Sequence, residues 1–115
     1  MSNEKAITAV KPLIYFREGE VKIYLLVKPL RESEWQLPEF KLNLQEYSQI
    51  ETLSLIYRLL EEHFAISINE VKSLQVNKES QSAALVIDIE IQEEAVIVLN
   101  DKYLDYAWGD KEEAN

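Results

Sequence analysis

A chain of 115 residues and 13.4 kDa has room for one domain, expected to run 1–115, and a domain of that size buries roughly two-thirds of the surface its unfolded chain exposes. Hydrophobic residues make up 47% and charged residues 29%, with two glycines and three prolines, a composition that excludes disordered, collagenous and low-complexity classes. With zero cysteines and a single histidine, His63, disulfide scaffolds, thiolate chemistry, Cys-based metal sites and His-rich cages are excluded too. Gly19 and Gly109 stand too far apart to build a glycine-rich phosphate loop.

The net charge of −9 is unevenly placed. Residues 1–78 carry ten bases against eleven acids, and residues 79–115 carry two, Lys102 and Lys111, against ten. So acidic a chain lacks the clustered lysine and arginine that displace counterions from nucleic acid, so no nucleic-acid partner is expected. No apolar run approaches the roughly 18 residues of a membrane span, and the start Met-Ser-Asn-Glu-Lys lacks a signal-peptide pattern. The expectation is a cytoplasmic protein without a membrane partner.

In chain order, Pro12–Phe16 is apolar, Arg17-Glu18-Gly19-Glu20 interrupts, and Val21, Ile23, Leu25 and Val27 alternate onward, which predicts a β-hairpin turning at Glu18-Gly19 and ending at Pro29. A long loop follows through Trp35-Gln36-Leu37-Pro38 to about Ile50. Glu51 and Thr52 open a helix whose core face is predicted as Leu53, Ile56, Leu60 and Phe64; Leu55, Tyr57 and Leu59 make it apolar around most of its circumference. Val71–Val76 predicts a short strand and Ala83–Ile91 a longer one, its odd positions buried and its even ones passing to Asp88 and Glu90. Gln92-Glu93-Glu94 reads as a hairpin turn into a strand over Ala95–Leu99, continuously apolar and suited to the centre of a covered sheet. Strands, one main helix and strands again define a mixed α/β, or α+β, sheet domain.

These features together resemble the Nudix family, in particular its diadenosine-tetraphosphate-hydrolase-like branch. The resemblance covers nearly the whole chain: the hairpin Leu13–Val27, the Trp35-Gln36-Leu37-Pro38 entry, the helix Glu51–Ile66, and Leu99–Trp108, which ends Asp105-Tyr106-Ala107-Trp108 like that branch's D-Y-x-W. It implies a mixed β-sheet with one main helix, followed by a C-terminal helix that is truncated or absent here. The family box is G-x5-E-x7-R-E-U-x-E-E-x-G-U, U being aliphatic. Its helix glutamates, a turn apart, hold Mg²⁺ or Mn²⁺ against a diphosphate, and the metals activate water.

Laid on the box, Arg58, Leu60, Glu62 and Ile66 match. Leu59 stands for the glutamate after the arginine, His63 for the last metal-binding glutamate, Ala65 for the glycine and Phe40 for the first glycine, with Glu46 as the first glutamate. Eleven residues separate Glu46 from Arg58 where the box has seven. Glu46, Arg58, Glu62 and His63 are thus the remnant of the catalytic set, and one of three helix carboxylates survives in place. Glu62 and His63 are the candidate metal ligands, set against a plain Arg58–Glu62 pair with His63 solvated at the helix end. Trp35, Tyr106 and Trp108 are candidate stacking groups for a base, set against a core role.

The expectation is a catalytically degenerate Nudix-fold domain serving as a protein-interaction or assembly module. The alternatives are binding of a nucleotide or small ligand without hydrolysis, and an active hydrolase of nucleoside-diphosphate-linked compounds. No cofactor is expected, with Mg²⁺ or Mn²⁺ required only if activity remains. Leu55 and Leu59 mark the expected interface, covered by a protein partner, by a second copy, or by the loop carrying Phe40, Leu42 and Leu44. Asp110-Lys111-Glu112-Glu113 has the form of a helix start that ends at Asn115. The sheet face it leaves, with Ala84, Val86 and Ala95–Leu99, is expected to be covered by a homodimer partner.

Overall fold

The computed structural model describes residues 9–32, 34–41, 49–77 and 84–113. Glu46, Leu42, Leu44 and Ala83, singled out above, lie outside them. The hairpin forms as expected. Strand β1 (Ala9–Glu18) and β2 (Val21–Pro29) pair antiparallel with Tyr15 opposite Tyr24 and Glu18 opposite Val21. Gly19 turns between them at φ 66°, a left-handed conformation that glycine adopts without steric penalty.

A two-residue strand β3 (Phe40–Lys41) pairs with the start of β1, and helix α1 spans Gln49–Phe64. Strands β4 (Val71–Val76), β5 (Ala84–Ile91) and β6 (Tyr103–Gly109) complete a mixed sheet in the order β4-β5-β1-β2-β6. Among the described strands only β1 and β5 run parallel, with Ile14 beside Ile89; the long connection through α1 and β4 makes that crossover. No helix among the described residues is long and apolar enough to cross a membrane.

Helix α1 covers one face of the sheet. Its Leu55, Ile56, Leu60 and Phe64 pack with Val10, Ile14, Leu25, Val27, Ile87, Ile89 and Ile91 in one core. The predicted helix face is right at three of its four positions. Leu53 is 39% exposed, and Leu55, assigned to the outer side and to an interface, is 7% exposed within the chain's own core. The buried stripe therefore follows residues 55, 56, 60, 63 and 64, with Leu59 half-buried beside it, rotated from the predicted one toward Leu55 and His63.

The face away from α1 is not bare at its centre. Leu13, Tyr15 and Leu26, whose side chains alternate to that side, are buried, and the 3-10 turn Lys111–Glu113 packs beside β2. Ala84 and Val86 are half-buried. Glu90, expected to be wet, is buried because three groups take up its charge: the Tyr15 hydroxyl donates at 3.4 Å, with Arg17 Nε at 3.4 Å and Lys72 Nζ at 3.6 Å.

The strand expected over Ala95–Leu99 does not exist. Both sides of β5 are already paired, with β4 and β1, so the run cannot turn back beside β5 as a hairpin partner. It lies instead against the end of α1, where the Val98 N–H donates to the Phe64 carbonyl at 3.1 Å and Asn100 N–H to the His63 carbonyl at 3.2 Å. These carbonyls belong to the last turn, which has no donors of its own. The edge strand beside β2 is β6, with Tyr106 opposite Val27 and Trp108 opposite Leu25. Its cue in the sequence is the alternation of Asp105 and Ala107 with Tyr106 and Trp108.

Candidate functional site

The backbone of Gln36 pairs with Val27 in both directions, at 2.8 and 2.9 Å, and this pins the Trp35–Pro38 segment to the end of β2. The chain then returns to β1 through β3, which brings Phe40 against the last turns of α1. A cavity of about 510 Å³ opens between these segments, lined by Val27, Gln36, Leu37, Phe40, Leu59, His63 and Tyr103 among others. Its charged lining is two lysines, Lys41 and Lys102, and two glutamates, Glu32 and Glu39.

His63 is not solvated; it is 8% exposed. Phe40 lies 4.8 Å from its ring and Tyr103 5.7 Å, and its Nδ1 shares a hydrogen bond of 2.9 Å with the Tyr103 hydroxyl. Burial pushes the His63 pKa below its ordinary value, and Lys102 adds to the effect against an opposing pull from Glu62. Burial alone pushes the Tyr103 phenol up to about 12, so both groups are neutral near pH 7. One face of α1 thus offers the cavity an aliphatic side chain, Leu59, and a neutral imidazole engaged by a phenol.

The remaining candidates disperse. Glu62 and Arg58 are exposed on α1, and neither lines the cavity. Trp35 is half-buried with Lys28 Nζ 5.6 Å from its ring centre, while Trp108 meets Phe16 edge-on at 5.0 Å and Tyr106 packs on the core. None of these three lines the cavity. A magnesium ion held against a diphosphate needs several carboxylate oxygens at one point. The described residues hold no group of three histidine, aspartate or glutamate side chains so placed, and with Glu62 exposed and His63 Nδ1 engaged they do not fit that ion. Sequence reasoning passed over Gln36, Lys41, Lys102 and Tyr103. Only their flanking of Trp35–Pro38 and of the D-Y-x-W segment could have marked them.

The architecture is the Nudix fold. The structure is similar to an Ap4A hydrolase of C. elegans in a binary complex, at 14% identity over 91% of this chain and 81% of that one, with a TM-score of 0.63. It is similar to the dihydroneopterin triphosphate pyrophosphohydrolase of E. coli, at 14% identity, 88% and 80% coverage and a TM-score of 0.64. A third similar structure is the Nudix domain of Shewanella oneidensis NrtR complexed with ADP-ribose, at 15% identity, 88% and 70% coverage and a TM-score of 0.54. No protein-family model and no curated protein matches the sequence.

Proposed function

We propose that this chain is a Nudix-fold binding domain that holds a nucleotide-like ligand in the cavity beside α1 without hydrolysing it. The observation that carries the reading is what α1 presents there: Leu59 and His63, at two positions where the Nudix box has glutamates, line a cavity large enough for a ligand. Leu59 offers an apolar wall, Phe40 and Tyr103 offer ring surfaces, and Lys41 and Lys102 offer cations to an anionic group. A protein-interaction role based on Leu55 and Leu59 has less support, since Leu55 lies in the core and Leu59 is half-buried at the cavity.

One of the similar structures is a Nudix domain complexed with ADP-ribose, which makes ADP-ribose the first ligand to try. In a thermal-shift titration, a ligand at 100 times its dissociation constant stabilises by about 2.7 kcal/mol. The expected result is a saturable shift with ADP-ribose or a dinucleoside polyphosphate that needs no divalent metal, reduced by Tyr103→Ala. Absence of a shift with any nucleotide contradicts the reading. Metal-dependent turnover that disappears in Glu62→Gln replaces it with a hydrolase.

A further inference from the structure

The run Ala95–Leu99 lies outside the sheet and is under-bonded. Residues 94–100 contain neither a turn nor a bend, and burial alternates along them, with Ala95 and Ile97 buried while Val96 and Val98 are 82% and 61% exposed. The N–H groups of Val98 and Asn100, two residues apart, both point to the end of α1. In an extended chain the groups between them point the opposite way, so Ile97 and Leu99 present their N–H and C=O along the other edge. Apart from the Val98 N–H, no main-chain N–H or C=O from Ala95 to Leu99 has a hydrogen-bond partner within the described chain. Main-chain donors and acceptors are nearly always paired in folded proteins, and an open strand edge flanked by β-branched residues is a template for another strand.

We propose that residues 95–99 are a docking edge to which an extended segment of a partner protein adds as a strand, with aliphatic residues alternating along it and lysine or arginine at the end beside Glu93 and Glu94. The charge requirement comes from the near end of the run. A cavity of about 340 Å³ there is lined by Asn69, Glu70, Gln92, Glu93, Glu94 and Val96, with no cation among its lining residues. Ile68, 58% exposed, precedes Asn69 and adds apolar surface on that side. The same charges disfavour a second copy as the occupant. Antiparallel self-pairing centred on Ile97 sets Glu93 opposite Asp101, and each chain carries a net −9. Main-chain pairing gives such strand addition its affinity, and the outward Val96 and Val98 with the acidic end give it specificity.

The test is amide hydrogen exchange on the whole chain, free and with a synthetic peptide of two lysines followed by alternating valine and threonine. In the free protein the Ile97 and Leu99 amides exchange fast. The lysine peptide slows both by about tenfold or more, and the same peptide with glutamates in place of the lysines does not. Val96→Lys, a change at an exposed position, removes the protection while the exchange of core amides in β1 and β5 stays unchanged. The proposal is overturned if the lysine peptide leaves both amides fast, if the two peptides protect equally, or if protection in the free protein grows with its own concentration, which assigns the edge to a second copy.

Discussion

Ala65 stands where α1 stops, and its φ of 60° is the left-handed conformation in which a Cβ is unfavourable. Its N–H donates to the Glu61 carbonyl at 2.9 Å and the next N–H, of Ile66, to Leu60 at 3.2 Å, so the backbone has the shape of a glycine-terminated helix with alanine in the glycine's place. This gives a physical meaning to the glycine of the Nudix box. Ala65→Gly is expected to stabilise the protein by roughly 1 kcal/mol, read as a higher urea midpoint with an unchanged slope. His63 yields a second expectation. Its folded pKa lies below the ordinary 6.5, so on acidification the unfolded chain takes up the proton first, and stability falls as pH drops below about 6.5. Urea unfolding between pH 5 and 8 measures the slope, and His63→Gln flattens it. Tyr103 acts at the other extreme: with its phenol near 12 against an ordinary 10, its contribution is lost as pH rises through that interval. Absorbance titration of Tyr103→Phe against the parent protein identifies the late-ionising phenol.

Helix α1 shows how far periodicity reaches. Spacings of three and four located the helix and most of its core, but Leu53 and Leu55 both fit an apolar stripe, and only the docking angle on the sheet decides which is buried. Leu60→Ala, at a fully buried position, is expected to destabilise by about 2–5 kcal/mol, and Leu53→Ala by less than about 0.5 kcal/mol. Equal losses in denaturant unfolding contradict this orientation. The hairpin, β4 and β5 were legible because local alternation and a turn glycine determine them. Ala95–Leu99 was not, because five apolar residues read equally as a central strand, and only the pairing of both sides of β5 shows that the run cannot lie beside it. The cavity was half legible. Leu59 and His63 were found by their positions on the helix, whereas Lys41 and the adjacent pair Lys102 and Tyr103 come from two distant parts of the chain that meet only when β3 and β6 join the sheet.

At the scale of the whole molecule, the sheet has one face under α1 and another closed at its centre by Leu13, Tyr15 and Leu26. The homodimer expected on that face rests on Ala84 and Val86, which are half-buried beside this closed centre. The function proposed above joins the Nudix fold to a cavity lined by Leu59 and His63, in a chain whose described residues offer no fit for the metal. Phosphorus NMR of ADP-ribose with the protein and Mg²⁺ tests this most directly, since one spectrum reports both binding and cleavage. The account predicts that both phosphate resonances broaden or shift on adding protein and remain the only two signals over hours. New monophosphate resonances growing in proportion to protein, or two lines untouched at millimolar ligand, contradict it.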